Sequence, residues 1–321
     1  MSEPTGESDD QRGPTKEEIE RVVRRLNTEY YSANPHMYFH QRLMHLIVVA
    51  AAPEKLVDLV GDGITLGDVT LGLNPGDAPV MSPLADEETR EKYLATESTV
   101  LLHHIAEVLL RLELAHERQP LCPWIEMVNL RWDFKDKLRE RFPEEGSHPD
   151  DTQLLFPVYF VGPSREETRF GDDSVEPDLD NISAFLHHFA DMHLQEAAVY
   201  NSAKHGLGVV AGETRLSLEG CFDWTSMSVA GLDRTGSAIS HLLVRSANVE
   251  RDIQFAVMAT NLMRQLWDVA KARYVGAELP RLNMFAQPTF KRVSLCRKEM
   301  TIDRLALPLW IFGAGVDNSS S

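Results

Sequence analysis

The sequence predicts a mainly α-helical protein: a helical bundle with a small antiparallel β insertion at about residues 211–245 and a β-like C-terminal tail. Three observations predict it. Through much of the chain before residue 206, apolar residues recur at i, i+3, i+4 and i+7, the spacing that gives a helix one apolar face. After residue 210 that spacing gives way to short β-branched runs punctuated by Gly, Asp and Ser, the pattern of strands joined by turns. Helical spacing then resumes near Ala247 and holds to Tyr274, which leaves the strands as an insertion.

Each element has its own justification. Residues 1–14, rich in Ser, Glu, Asp, Gly and Pro, have the composition of a disordered acidic tail, and residues 15–321 read as a single domain. Thr15 with Glu18 three residues on forms a capping-box pattern that opens a helix through Ile19, Val22, Val23 and Leu26. Pro35 interrupts it, and a second helix follows over His36 to Ala52. The stretch from Asp62 to Pro83, full of Gly, Asp and Pro, reads as an irregular connection. Asp86 opens a long helical segment to His116, Pro120 and Pro123 end it, and Trp124 to Phe142 returns to helical spacing.

From Pro143 to Asp180 the sequence predicts a long connection with one short extended segment, Leu154 to Val161. Asp180 or Asn181 then caps a helix through Ile182, Phe185, Leu186, Phe189, Ala190, Leu194 and Ala197, and Gly206 and Gly208 mark its end. Strands are expected at Thr214–Leu218, Thr225–Val229 and Ile239–Val244, and alternation returns between Arg281 and Trp310.

Composition bounds the function. A 43% hydrophobic and 25% charged chain of 321 residues has the profile of a soluble globular protein. A net charge of -17 excludes a broad non-specific nucleic-acid surface but leaves room for a local basic site. The most apolar run, Leu43 to Ala52, is too short to span a bilayer. Cys122, Cys221 and Cys296 form no ligand motif and read as reduced thiols, and the polar start is unlike a signal peptide. The expectation is a cytoplasmic protein. The sequence holds neither a phosphate-binding glycine loop nor a nucleophile elbow. Arg131 to Arg141, interleaved with Asp133, Asp136 and Glu140, reads as a solvated helix face, and Trp124, Trp132 and Trp267 read as core.

The sharpest local signal is Asn201-Ser-Ala-Lys204-His205-Gly206 at the end of the central helix. One helical turn separates Asn201 from His205, so an amide and an imidazole share a face; such a pair can orient a ribose or phosphate while His acts as acid or base. This hexapeptide resembles the HEPN families, helical modules that include many metal-independent ribonucleases, marked by Arg, often Asn, three residues and His, frequently followed by Gly. Asn201, His205 and Gly206 match, but Tyr200 stands at the arginine position, and Lys204 supplies only a displaced point charge. Arg111 to His116 fits the looser form of the pattern, Arg, an apolar residue, three residues and His. The resemblance implies RNA as the partner, no cofactor, His205 as the acid/base and a site formed at the interface of a homodimer. Helix-end reasons account for the same residues: Lys204 and His205 suit the dipole of a last turn, as does His116, and Glu107 precedes Arg111 by four residues in ion-pairing order.

A second chemistry rests on paired histidines. Leu102-His103-His104-Ile105-Ala106-Glu107 echoes Leu186-His187-His188-Phe189-Ala190-Asp191. His103 with Glu107, and His187 with Asp191, are each one turn apart, and two such helices face to face would offer two imidazoles and two carboxylates to Zn, Fe or Mn. Buried, hydrogen-bonded histidine is the structural alternative. A third reading, an assembly or regulatory protein without chemistry, assigns these residues to caps and pairs alone.

Overall fold

The computed structural model describes residues 13–54, 64–66, 69–71, 87–143, 151–160, 172–204, 209–218, 222–235, 238–278 and 304–308. Helix α1 (Lys16–Ser32) begins as its capping box requires. The Thr15 hydroxyl accepts from the Glu18 amide at 3.3 Å, and the Glu18 carboxylate accepts from the Thr15 amide at 2.8 Å. Two amides that the helix cannot satisfy internally are thereby paired. Helix α2 (Pro35–Ala51) starts on its proline, whose fixed φ suits the first helical position and whose missing N–H would have no intrahelical partner there. Within the stretch expected to be irregular, β1 (Ile64–Leu66) pairs antiparallel with β2 (Val69–Leu71).

Helix α3 (Glu87–His116) is the axis of the molecule. It runs unbroken for 30 residues, about 45 Å at the helical rise, and packs against α2, α4 (Pro123–Arg141) and α8 (Val249–Val275). Leu102, Ile105, Leu109 and Leu110 of α3 meet Leu262, Met263 and Leu266 of α8 in a core from which water is excluded. Each such side chain contributes roughly 1.5–3 kcal/mol by its burial. Asn248 caps α8 by accepting from the Arg251 amide, and Gly276 ends it at φ 70°, a left-handed conformation that glycine adopts without strain.

Two sequence expectations are corrected between α4 and the sheet. The segment expected to be extended from Leu154 is helical instead: helix α5 (Asp151–Tyr159) occupies most of it, Pro157 included, and Val161 lies outside the described residues. Its run Leu155, Phe156, Val158, Tyr159 and Phe160 is buried on several sides against α6 and α8, so no polar stripe was available to betray helical period. The central helix starts earlier than its expected cap and is two helices, α6 (Asp172–Gln195) and α7 (Ala197–Lys204). Both contact α3, so the two histidine-bearing segments are neighbours, as their echo suggested.

The β insertion is a meander. Strands β3 (Val209–Leu218), β4 (Phe222–Thr235) and β5 (Ala238–Ser246) pair antiparallel in that order, and β6 (Arg304–Pro308) adds to β5. The strands are longer than the sequence suggested, and the tail supplies one of them. Val229 of β4 packs with Ala95 of α3 and Val199 of α7 in a small second core that fastens sheet to bundle. Among the described residues, no helix is long and apolar enough to cross a membrane.

Candidate functional site

A cleft of about 440 Å³ opens where α3, α4, α6 and α7 meet, within the range of small-ligand sites. Arg111 from α3 and Asn201 and Lys204 from α7 line it together, so three of the residues singled out in the sequence converge from distant positions. Arg131, Lys135 and Arg139 join them from α4. Five cationic side chains thus face two carboxylates, Glu107 and Asp136, on a chain whose net charge is -17.

Arg111 anchors the floor. Its Nε donates to Glu107 Oε1 at 3.0 Å and its Nη1 to the Leu130 carbonyl at 3.1 Å, while the guanidinium lies 4.0 Å from the centre of the Phe134 ring. The ion pair expected from the i,i+4 order is therefore present, and it coexists with a place in the cleft. The Tyr200 hydroxyl donates to Glu107 Oε2 at 3.1 Å, and Lys204 Nζ sits 5.4 Å above the Tyr200 ring. Burial alone pushes the Glu107 carboxyl up; the Arg111 guanidinium, with His193 and Lys204, outweighs it and holds the group below its ordinary value. Burial, then the neighbouring Glu107 charge, raises the Tyr200 phenol far above its usual range, so it stays a donor.

His193, which the sequence did not single out, also lines the cleft. It is 5% exposed, its Nδ1 has no hydrogen-bond partner, and its ring meets Phe134 edge-on at 5.3 Å. Burial brings its pKa down to about 4, against the pull of Glu107 and with the help of His103, Lys135 and Arg111. At neutral pH it is an uncharged imidazole. His205 and Gly206 lie outside the described residues.

The α4 contribution overturns two sequence expectations. Trp132 is 85% exposed at the cleft rim, not core, and Trp124 is partly exposed, stacked on Tyr30; Trp267 alone of the three is buried. The basic face is also more than solvated surface. Arg131, Trp132, Lys135 and Arg139 fall within an arc of about 100° at 3.6 residues per turn, next to the arc of Leu130, Phe134 and Leu138, which are buried. That spacing was the signal available in the sequence, obscured by the intervening acids.

Apart from Glu107, which lines the cleft, the other predicted residues among those described are elsewhere. His116 does not line the cleft: it is buried, its Nδ1 donates to the Leu112 carbonyl at 2.6 Å, and its Nε2 accepts from the Tyr31 hydroxyl at 2.8 Å. Burial lowers its pKa to about 4, so it is neither a cationic helix end nor an exposed acid/base. Among the described residues, no three His, Cys, Asp or Glu side chains gather as a metal site. His103 instead donates to Glu196 at 2.9 Å, Glu107 serves Arg111 and Tyr200, His187 meets Phe142 edge-on at 5.0 Å, and Asp191 accepts from Gln195.

The break between α6 and α7 explains how α7 is aimed at the cleft. Glu196, the residue between them, is buried and bridges His103 of α3 and Arg245 of β5, with its Oε2 2.8 Å from the Arg245 Nε. Arg245 in turn forks onto Asp252 of α8 at 2.8 and 2.9 Å and donates to Thr99 at 3.0 Å. One buried network therefore ties sheet, α3, α8 and the start of α7. No family model, curated protein or solved structure matches this chain.

Proposed function

We propose that this protein is a HEPN-like RNA-binding module whose cleft holds the phosphate backbone of RNA. The observation that carries the reading is the convergence of Arg111, Lys204, Arg131, Lys135 and Arg139 in one cleft of a strongly acidic chain. A local cation cluster in a negative field selects polyanions by position rather than by overall charge. Arg111 also answers the departure at Tyr200: the guanidinium missing from the hexapeptide is brought to Asn201 and Lys204 from another helix. Arginine suits that place, since its planar fork matches phosphate geometry. Cleavage is a separate step, for which His205 is the acid/base that the resemblance supplies. Metal-dependent chemistry at His103, Glu107, His187 and Asp191 has no comparable convergence behind it.

The test is titration of the full chain with labelled single-stranded RNA across a range of salt, in excess chelator. Each phosphate contact contributes about -0.7 to the slope of log affinity against log salt for a single strand. Replacing Arg131, Lys135 and Arg139 together with Ser is expected to flatten that slope by about 2. Failure of the wild-type chain to bind RNA at low salt rejects the proposal. In the same samples, cleavage that is lost on 2′-deoxy substrate and in His205→Ala marks a ribonuclease, whereas intact RNA marks a binding module.

A further inference from the structure

We infer that the cleft takes single-stranded RNA in particular, with Trp132 as the platform on which one unpaired base stacks. The inference rests on the RNA-binding reading above and adds what the cationic residues cannot provide, a means of telling an unpaired strand from a duplex. Trp132 is the most exposed large apolar side chain among the described residues, at 85%, in a helix whose Leu130, Phe134 and Leu138 satisfy the need for core contacts. Exposure of so large an indole leaves apolar area in water without any packing return. The Arg131 guanidinium lies 5.2 Å from the Trp132 ring centre, so one face of the indole is already associated with a cation while the rim position leaves ring surface open. Lys135 and Arg139 continue along the same arc of α4, and Lys204 and Arg111 stand on the other walls.

Aromatic surface interleaved with cations at this spacing matches the chemistry of an unpaired nucleotide: phosphate to the cations, base to the ring. A duplex buries its bases in the stack and offers only phosphate and groove edges, so it cannot use the indole. The cleft volume, about 440 Å³, is the scale of a small ligand or a single nucleotide and not of a double helix. Lys204 sits over Tyr200, which is itself buried, so Trp132 is the lining aromatic with open surface for a base.

The experiment compares three probes on the full chain: a short fluorescent oligo(A), the same strand annealed to its complement, and an abasic strand of equal length. Oligo(A) is expected to bind most tightly. Trp132→Ala is expected to weaken oligo(A) roughly 5- to 150-fold, the range for loss of one base–aromatic stack, and to leave the abasic strand unchanged. Trp132→Phe is expected to recover most of the affinity, and an unaltered circular-dichroism spectrum shows that each variant is folded. Equal binding of all three probes, or oligo(A) binding indifferent to Trp132→Ala but abolished by the Arg131, Lys135 and Arg139 replacements, overturns the inference while sparing the RNA reading. In that case the indole, with exposed Ile125 and Val128 on the same helix, belongs to a protein contact. No binding of any probe by wild type rejects both.

Discussion

Two arginines separate the two halves of this molecule. Arg245 is 4% exposed and its donors are consumed by Asp252, Glu196 and Thr99, so its charge is neutralised inside the fold. Arg111 is paired with Glu107 as well, but both remain partly open, with side-chain exposures of 21% and 17%, and further cations crowd the same cleft. Matched charge, with Arg251 also 3.6 Å from Asp252, makes the first site a fastener. A cation surplus makes the second a place for an anion from outside. The same pair of residue types thus serves architecture or recognition according to burial and to the balance of charge around it.

The largest test of this contrast is Arg245→Met. It removes the guanidinium and leaves Asp252 and Glu196 buried without it, a loss expected to cost about 3–5 kcal/mol. Urea denaturation measures it, and a variant as stable as wild type would show that the network does not fasten the sheet to the bundle. Next comes the apolar frame on which both sites stand. Leu186 and Phe189 are each 0% exposed in α6, and truncating either to Ala is expected to cost roughly 2–5 kcal/mol. Thermal melts unchanged in both variants would place the α6 face wrongly.

A third test sets His193 of the cleft against His116 of the core. Burial brings both down to about 4 in the folded state, while an unfolded imidazole titrates near 6.5. The folded state therefore binds fewer protons between those values, and stability that is full above about pH 6.5 is expected to fall as pH drops toward about 4. The histidine ring signals in NMR report each group directly. Added oligo(A) is expected to raise the His193 midpoint, because phosphate charge nearby favours imidazolium, and to leave His116 where it was. Equal movement of both would deny that the cleft is the binding place.

The smallest effect on stability belongs to Arg111→Ala. Its partly exposed helical ion pair contributes about 0.5 kcal/mol and its contact with the Phe134 ring about 1 kcal/mol, so the melting midpoint is expected to move little. RNA affinity is expected to fall much further than stability does. A variant that loses stability as Arg245→Met does, with RNA binding intact, would make the two arginines equivalent and erase the distinction.

The sequence by itself determined the helical class, the capping box at Thr15, an antiparallel β insertion after residue 210 and the Glu107–Arg111 pair, because each is written in residues close together in the chain. Period and caps act within a turn or two, so they can be read without knowing the fold. The tertiary structure decided the rest. It made a helix of the apolar run at Leu155–Tyr159, where burial on several sides hides the period, and it split the central helix at Glu196, whose partners His103 and Arg245 are remote in sequence. It also moved His116 into the core, turned Trp132 outward and carried Arg111 to Asn201 and Lys204. Those outcomes depend on which faces of separate helices meet, and long-range packing, not local pattern, settles that.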